Sequence, residues 1–538
     1  MTKALNTKKI LFVLFFLFIS IRLPFLDQIN LLPDERDIAL SGWSIAQTGK
    51  DLFGKPFPLV FENISPNNPL FAIYFAAFWF LLIPIKSVFL ARLPFVLVSS
   101  LLVFVSFQIV KILTNNDKKA LLTTIVLCFS PWIFHITRLA LDIPLAMVFL
   151  FTGILYYLEK RKFSALMLLF LASFTYQGFR LLIPFLLIYL ELFFLIKQKS
   201  WRYFVFNSLK NLLFVILLVL IASYLEPNIS KNRLSEIIFF NNEKNAQAVY
   251  FKRITSIASP EIARIFDNKL TVSLEEIFLN FTKGLDLSYL FKNGDYSPIN
   301  GNASTGQYLF VFIIFYFLGI VYLGKKGASF DTYLLGFIPL GMVPALLSSH
   351  GISFSIRGVL SSFGFSYLLS LGIIYFFQLV KDYKFKKFYF LVIGTVFLIN
   401  LSYFIYGYYQ RRPKTVGELF YENERRLSLF LLKKNKPYEI YHQLPQNAFL
   451  SYIFFRNDGF DLSRVQNNMF KKNYSYDGLK FKKCNHKVNY LQTANTIIHE
   501  PCVEKINYDL LNDINNIKVK NRILYKDFSG KTAYFVIE

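Results

Sequence analysis

Twelve apolar runs divide the chain, at about 10–26, 68–85, 92–111, 120–136, 142–158, 163–178, 181–196, 204–224, 307–324, 331–348, 355–379 and 388–407. Most approach the roughly 20 helical residues that cross a hydrocarbon core about 30 Å thick. Two stretches break the pattern. Residues 225–306 carry nine acidic and nine basic side chains and amphipathic segments such as 274–279. That stretch is too long for a plain connector and is expected to fold over a site. Beyond Gln410 the chain turns rich in Asn, Lys and Tyr, and alternating runs at 438–442 and 533–537 predict a small α/β domain. No internal repeat is evident.

Composition supports an all-α polytopic membrane protein: of 538 residues, 54% are hydrophobic, 63 are Phe and only 17% are charged. The formal charge of +25 would suggest nucleic acid in a soluble protein. No nucleic-acid-binding module accompanies it, so nucleic acid is set aside and the charge is read as a topology signal. Counting all twelve runs as spans puts the Lys-rich loop 111–119 outside. Treating 68–85 as an outer interfacial helix removes the conflict, since Pro69 and Pro84 flank it and Tyr74, Phe78 and Trp79 suit a headgroup layer. About eleven spans then remain, and loops 111–119, 159–162, 197–202, 325–326 and 381–387 all face the cytoplasm with the N-terminus. Met1–Lys9 lacks a following cleavage site, so the first run is read as an uncleaved span. The expected organisation is a transmembrane domain over 1–407, with outer loops 27–91 and 225–306, and an extracytoplasmic domain over 408–538. Cys128 falls inside an apolar run, whereas Cys484 and Cys502 could pair if the tail lies outside the cell.

This topology gathers the informative polar residues on the outer side. Asp34 and Glu35 follow Pro33 in the first outer loop; Arg138 and Asp142 lie in the second; Gln177 and Arg180 lie in the third. Asp295 sits in the long loop, and His350 and Arg357 bracket a later turn. As plain structural residues, Asp34 and Asp142 would cap helices, Arg138 would snorkel, and Asn293-Gly294-Asp295 would be a turn. Two adjacent carboxylates exceed what a cap needs, and a carboxylate at a helix N-terminus stays ionised, as a base must. Arg180 and Arg357 stand at outer span ends against the positive-inside trend, which an anionic ligand would explain. The histidines follow no metal-ligand spacing; His135 and His350 read as interfacial hydrogen-bonding groups.

The ordered motifs Pro33-Asp34-Glu35-Arg36, Asn68-Pro69-Leu70, Ala91-Arg92-Leu93-Pro94, Ser130-Pro131-Trp132 and Arg138…Leu141-Asp142-Ile143-Pro144 resemble those of GT-C-fold glycosyltransferases. The branch is that of protein O-mannosyltransferases and lipid A aminoarabinose transferases (glycosyltransferase family 39-like). The resemblance is closest over residues 10–200 and looser through Asn293-Gly294-Asp295 and Gly306-Gln307 to Arg357. Aminoarabinose transferases carry Lys-Pro-Pro where this chain has Asn67-Asn68-Pro69, a departure that weighs against aminoarabinose and lipid A.

The resemblance implies a hexosyl- or pentosyltransferase that uses a polyprenyl-phosphate-linked sugar at the exterior face of the cell membrane. The acceptor would be a hydroxyl of a glycan, lipid or protein. It implies Asp34 as base with Glu35 as partner or substitute, and Asp142 shaping the acceptor site. Arg138, Gln177, Arg180, Asp295, His350 and Arg357 are the substrate or phosphate candidates. No cofactor is required and no metal site is assigned, although Asp34, Glu35 and Asp142 could take a divalent ion. A lipid-linked oligosaccharide ligase or polymerase is the near alternative. A lipid or glycan flippase is the distant one, disfavoured because polar residues concentrate at one interface and not at mid-membrane.

Overall fold

A computed structural model describes residues 2–61, 69–226, 237–240, 242–302, 305–326, 330–349, 354–381, 384, 386–457, 461–484, 495–503, 521–524 and 532–537. The apolar runs form helices. In chain order the first eleven are α1 (Thr2–Ser20), α2 (Pro33–Thr48), α3 (Leu70–Leu82), α4 (Val88–Ser99), α5 (Leu102–Thr114), α6 (Asp117–Cys128), α7 (Pro131–Ile136), α8 (Asp142–Leu158), α9 (Lys162–Thr175), α10 (Gly178–Gln198) and α11 (Trp201–Leu225). Helices Phe312–Lys326, Phe330–Leu335, Phe337–Leu346, Ser361–Val380 and Lys386–Tyr406 follow the long loop. Among the described residues, five helical stretches are long and apolar enough to cross a membrane: Val88–Thr114, Gly178–Gln198, Trp201–Leu225, Ser361–Val380 and Lys387–Thr415. The chain is an all-α multi-pass membrane protein carrying a small α/β domain.

Local chemistry sets the breaks between helices. Asn115, in the left-handed region at φ 50°, ends α5, and the Asn116 side chain accepts from the N–H groups of Lys118 and Lys119 to start α6. Lys199 and Ser200 do the same between α10 and α11.

The chain forms two compact units. The first comprises Met1–Pro24, Pro66–Pro69 and Phe95–Tyr408. In it α8 packs on α9, and helices 312–326 and 361–380 cross so closely that Gly319 and Gly372 each face the partner's backbone. A Cβ at either would force the helices apart, which is the use of small residues between membrane helices. The bundle has two distinguishable ends. At one, Lys119 Nζ meets Asp331 Oδ1 at 2.5 Å and Lys326 Nζ meets Oδ2 at 2.8 Å, so the basic loops 111–119 and 325–326 share it. At the other, Arg22 beyond α1 bonds the Cys128 carbonyl at 2.6 Å and Thr137 Oγ1 at 2.7 Å. Because α1 runs between these ends, the basic N-terminal flank lies with the basic loops.

The second unit comprises Phe25–Ser65, Leu70–Pro94 and Tyr409–Glu538. Its centre is a mixed six-stranded sheet in the order β2-β3-β1-β4-β6-β5. The strands are β1 (Glu439–His442), β2 (Ser475–Tyr476), β3 (Leu479–Lys483), β4 (Thr496–His499), β5 (Asn521–Leu524) and β6 (Thr532–Ile537). β1 runs parallel to both β3 and β4, with Ile440 beside Phe481 and Ile497, and helices Pro445–Phe455 and Leu462–Phe470 form the β1-to-β3 crossover. Cys484 and Cys502 form a disulfide with a Cα–Cα distance of 5.6 Å. In the same unit α2 crosses α3 where Gly42 meets Ala76 and Ala77.

Candidate active site

The informative feature of the second unit is the first turn of α2. Leu32, not Asp34, is the N-cap residue, and Pro33 supplies a preset φ at the first helical position. This corrects the capping role considered for Asp34. Adjacent carboxylates meet opposite fates there. Glu35 is fully buried: its Oε2 accepts the Leu32 N–H at 2.9 Å, and Arg92 grips it with Nε to Oε1 at 2.8 Å and Nη2 to Oε2 at 2.7 Å. Arg92 Nη1 also donates to the carbonyls of Leu26 (2.9 Å) and Ile29 (2.8 Å), and Nη2 to that of Asn30 (2.9 Å). All five guanidinium N–H groups are thereby used. Asp34, one residue earlier, is exposed.

A second buried pair backs this turn. Arg36 donates to Asp37 Oδ1 through Nε (3.0 Å) and Nη2 (2.8 Å), and its Nη1 reaches the Asn447 carbonyl at 2.9 Å. Burial pushes the Asp37 carboxyl up to about 6, with Arg36 opposing that rise and Asp34 adding to it. Further along, Lys86 Nζ donates to the Ile453 carbonyl at 2.8 Å and lies 4.3 Å from the centre of the Trp43 ring. Burial, with Arg456 nearby, pushes Lys86 down to about 7.

In the first unit, motifs far apart in the chain meet at the end away from the basic loops. Ser130 caps α7 and Pro131 begins it, which aims Trp132 inward. Its indole N–H donates to the Ser355 carbonyl at 2.7 Å, and its backbone N–H to that of Gln307 at 3.1 Å. Asp295 accepts from the backbone N–H (2.8 Å) and hydroxyl (2.5 Å) of Ser355 and from the Ser297 N–H (2.8 Å). Gly294 precedes it in the left-handed region at φ 71°, which suits glycine, in an irregular segment that positions this buried carboxylate. Burial raises the Asp295 pKa, against the Ser355 hydrogen bonds and the charge of Arg357. His135 is held between Tyr408 Oη (3.0 Å) and the Ile299 carbonyl (2.9 Å).

Arg138 neither points into solvent nor snorkels. It is buried, and donates to the carbonyls of Arg22 (2.6 Å) and Pro24 (3.0 Å). Asp142 is the first residue of α8, with Leu141 as its N-cap, so the capping role considered for it is also corrected. Gln177 precedes the first residue of α10. Arg180 pairs with the buried Glu226 carboxylate at 2.8 Å and lies over the Phe174 ring. Arg357 Nη1 donates to Ser348 Oγ at 2.7 Å. α10 and helix 330–346 are antiparallel, since Phe193 meets Phe330 and Tyr189 meets Phe337. Extending that register at about 1.5 Å per residue sets Arg180 level with roughly residues 344–346, at the same end as Ser348 and Arg357. His350 lies outside the described residues.

Two participants were not singled out from the sequence. Arg92 stood only inside a motif, and Glu226 only as one acid among nine in the long loop. The signal for Arg92 was the recurrence of Ala-Arg-Leu-Pro after Pro-Asp-Glu, which the structure explains as the two halves of one clamp. Among the described residues, no group of three or more His, Cys, Asp and Glu is arranged to hold a metal ion.

No protein-family model and no curated protein sequence matches the chain. Among solved structures it is similar to the archaeal oligosaccharyltransferase AglB from Archaeoglobus fulgidus in complex with an inhibitory peptide and a dolichol-phosphate. That likeness has a TM-score of 0.45 at 11% identity over 84% of this chain and 64% of that one, so this chain spans less than two-thirds of the archaeal protein. It is also similar to ArnT from Cupriavidus metallidurans bound to undecaprenyl phosphate, with a TM-score of 0.45 at 11% identity over 100% of this chain and 98% of that one.

Proposed function

We propose that the protein is a membrane glycosyltransferase that moves a sugar from a polyprenyl-phosphate carrier to a hydroxyl acceptor on the extracytoplasmic face. The observation that carries this reading is the Arg92–Glu35 clamp. It commits Glu35 to structure and leaves the neighbouring Asp34 exposed on a rigid helix start. A presented carboxylate of this kind suits a general base, worth roughly 10²–10⁴-fold in rate. In the proposed reaction Asp34 takes the acceptor proton as the acceptor oxygen bonds to the anomeric carbon. The bond from that carbon to the carrier phosphate breaks, the configuration inverts, and the carrier leaves as a phosphate anion. Arg180 and Arg357, at one end of the helical unit, are the residues assigned to that anion, since guanidiniums bind phosphate oxygens in pairs. Arg180 would exchange its bond to Glu226 for the ligand. Arg92 and Glu35 are assigned as positioning residues.

The orientation follows the same reading: about eleven spans, with the basic loops and N-terminus cytoplasmic and the disulfide-bearing domain in an oxidising exterior. The test is mass spectrometry of surface glycans and glycolipids from a deletion strain carrying the wild-type protein or Asp34→Asn. The wild type restores the missing species, whereas Asp34→Asn, present at equal abundance, does not. Restoration by Asp34→Asn would remove the base assignment. A missing species that is a whole oligosaccharide unit would favour the ligase alternative.

A further inference from the structure

Three helices of the long loop, Asn242–Ile254, Pro260–Phe266 and Lys269–Leu285, leave an unusual amount of apolar surface uncovered. Ile257 is fully exposed between the first two, and Phe251 and Phe266 are each more than 60% exposed. On the third helix Leu270, Leu274 and Phe278 recur every four residues and are all more than half exposed, forming one stripe. Beside that stripe the helix is buried at Val272, Ser273, Asn280 and Gly284, and it packs on helix Phe337–Leu346. Two charge pairs lie within the loop, Lys244 with Glu276 and Lys252 with Glu275, and Arg253 Nε donates to the Asp267 backbone carbonyl at 2.8 Å.

We infer that this apolar face lies in the interfacial layer of the bilayer, so that the long loop is a membrane-embedded shelf and not a freely solvated cover. The argument is one of position. Helix 337–346 belongs to an apolar stretch of the bundle, Phe330–Leu346. A helix packed along its outer side turns its far face to whatever surrounds the bundle at that depth, which is lipid. The loop also leaves a strongly lipid-exposed helix: only 17% of the apolar window of α11 is buried, and Tyr224 near its end is 86% exposed. Residues 242–285 hold six basic and five acidic side chains, a net of +1, so burial of apolar area and not attraction to anionic headgroups would hold the face down. The placement does not depend on the catalytic reading.

The test uses the full-length protein in phosphatidylcholine vesicles. Its own cysteines are a buried Cys128 and the Cys484–Cys502 disulfide, so an introduced surface thiol labels selectively. Ile257→Cys, Leu274→Cys and Lys283→Cys each receive an environment-sensitive fluorophore. Lys283 is exposed and lies about 180° from Leu274 around the same helix, so the third variant is an internal control. Brominated acyl chains are expected to quench the probes at 257 and 274 at least about twofold more than the probe at 283, and aqueous iodide to show the reverse order. Iodide quenching at 257 and 274 without bromolipid quenching would overturn the inference. Protection of both from both quenchers would overturn it too, because protein and not lipid would then cover the face.

Discussion

Removing Arg92 tests the clamp on which the site assignment depends. In Arg92→Ala the Glu35 carboxylate stays fully buried and loses both Arg92 hydrogen bonds, and the carbonyls of Leu26, Ile29 and Asn30 lose the guanidinium that bonds them. Breaking a buried ion pair from one side costs about 3–5 kcal/mol, because the other charge is left uncompensated. For a unit of this size that corresponds to a Tm lowered by roughly 6–20 °C, at about 2–4 °C per kcal/mol. Arg92→Lys keeps the charge but offers three donors where five are used, and should lose roughly half as much. The assay is thermal and denaturant unfolding in detergent for Arg92→Ala, Glu35→Leu and the double variant. The double variant should be less destabilised than the sum of the singles by about 1–3 kcal/mol, since it leaves no unpaired charge. A loss below about 1 kcal/mol in Arg92→Ala, or additivity within about 0.5 kcal/mol, would refute the clamp.

Two further predictions concern the same unit. Lys86, pushed down to about 7 from 10.5, binds its proton less readily folded than unfolded. Stability should therefore rise as pH climbs from about 7 towards 10.5 and stay flat below 7; in Lys86→Met a rise of about 3–5 kcal/mol should vanish. Superimposable pH–stability profiles for the two proteins would contradict this. Gly42→Ala places a Cβ 2.8 Å from Ala76 Cβ and 2.9 Å from the Ala77 backbone nitrogen, neither of which can swing aside. It should cost about 1–3 kcal/mol in denaturant unfolding, and an unchanged midpoint would show that α2 and α3 separate freely.

The legibility of the chain follows the range of the interactions involved. Apolar runs mark helices because a helix bonds to itself, so a local window of sequence holds the information. The loops 111–119 and 197–202 between helices were readable for the same reason, as were the β-type alternations at 438–442 and 533–537. The special chemistry of Pro33-Asp34-Glu35 was legible too, because two adjacent acids beside a membrane span demand an account.

The sequence by itself thus determined which segments are helices and which residues carry unusual charge. Only the tertiary structure decided what each charge does. Asp34 and Glu35 are neighbours of like chemistry, yet one is exposed and the other sealed, because Arg92, 57 positions along, reaches Glu35 and not Asp34. Arg138 became an anchor for the end of the first span, and Arg180 acquired Glu226, through partners no local pattern could name. A buried charge is tolerated only where an opposite charge or a set of donors comes to meet it, and that meeting is a property of the folded chain.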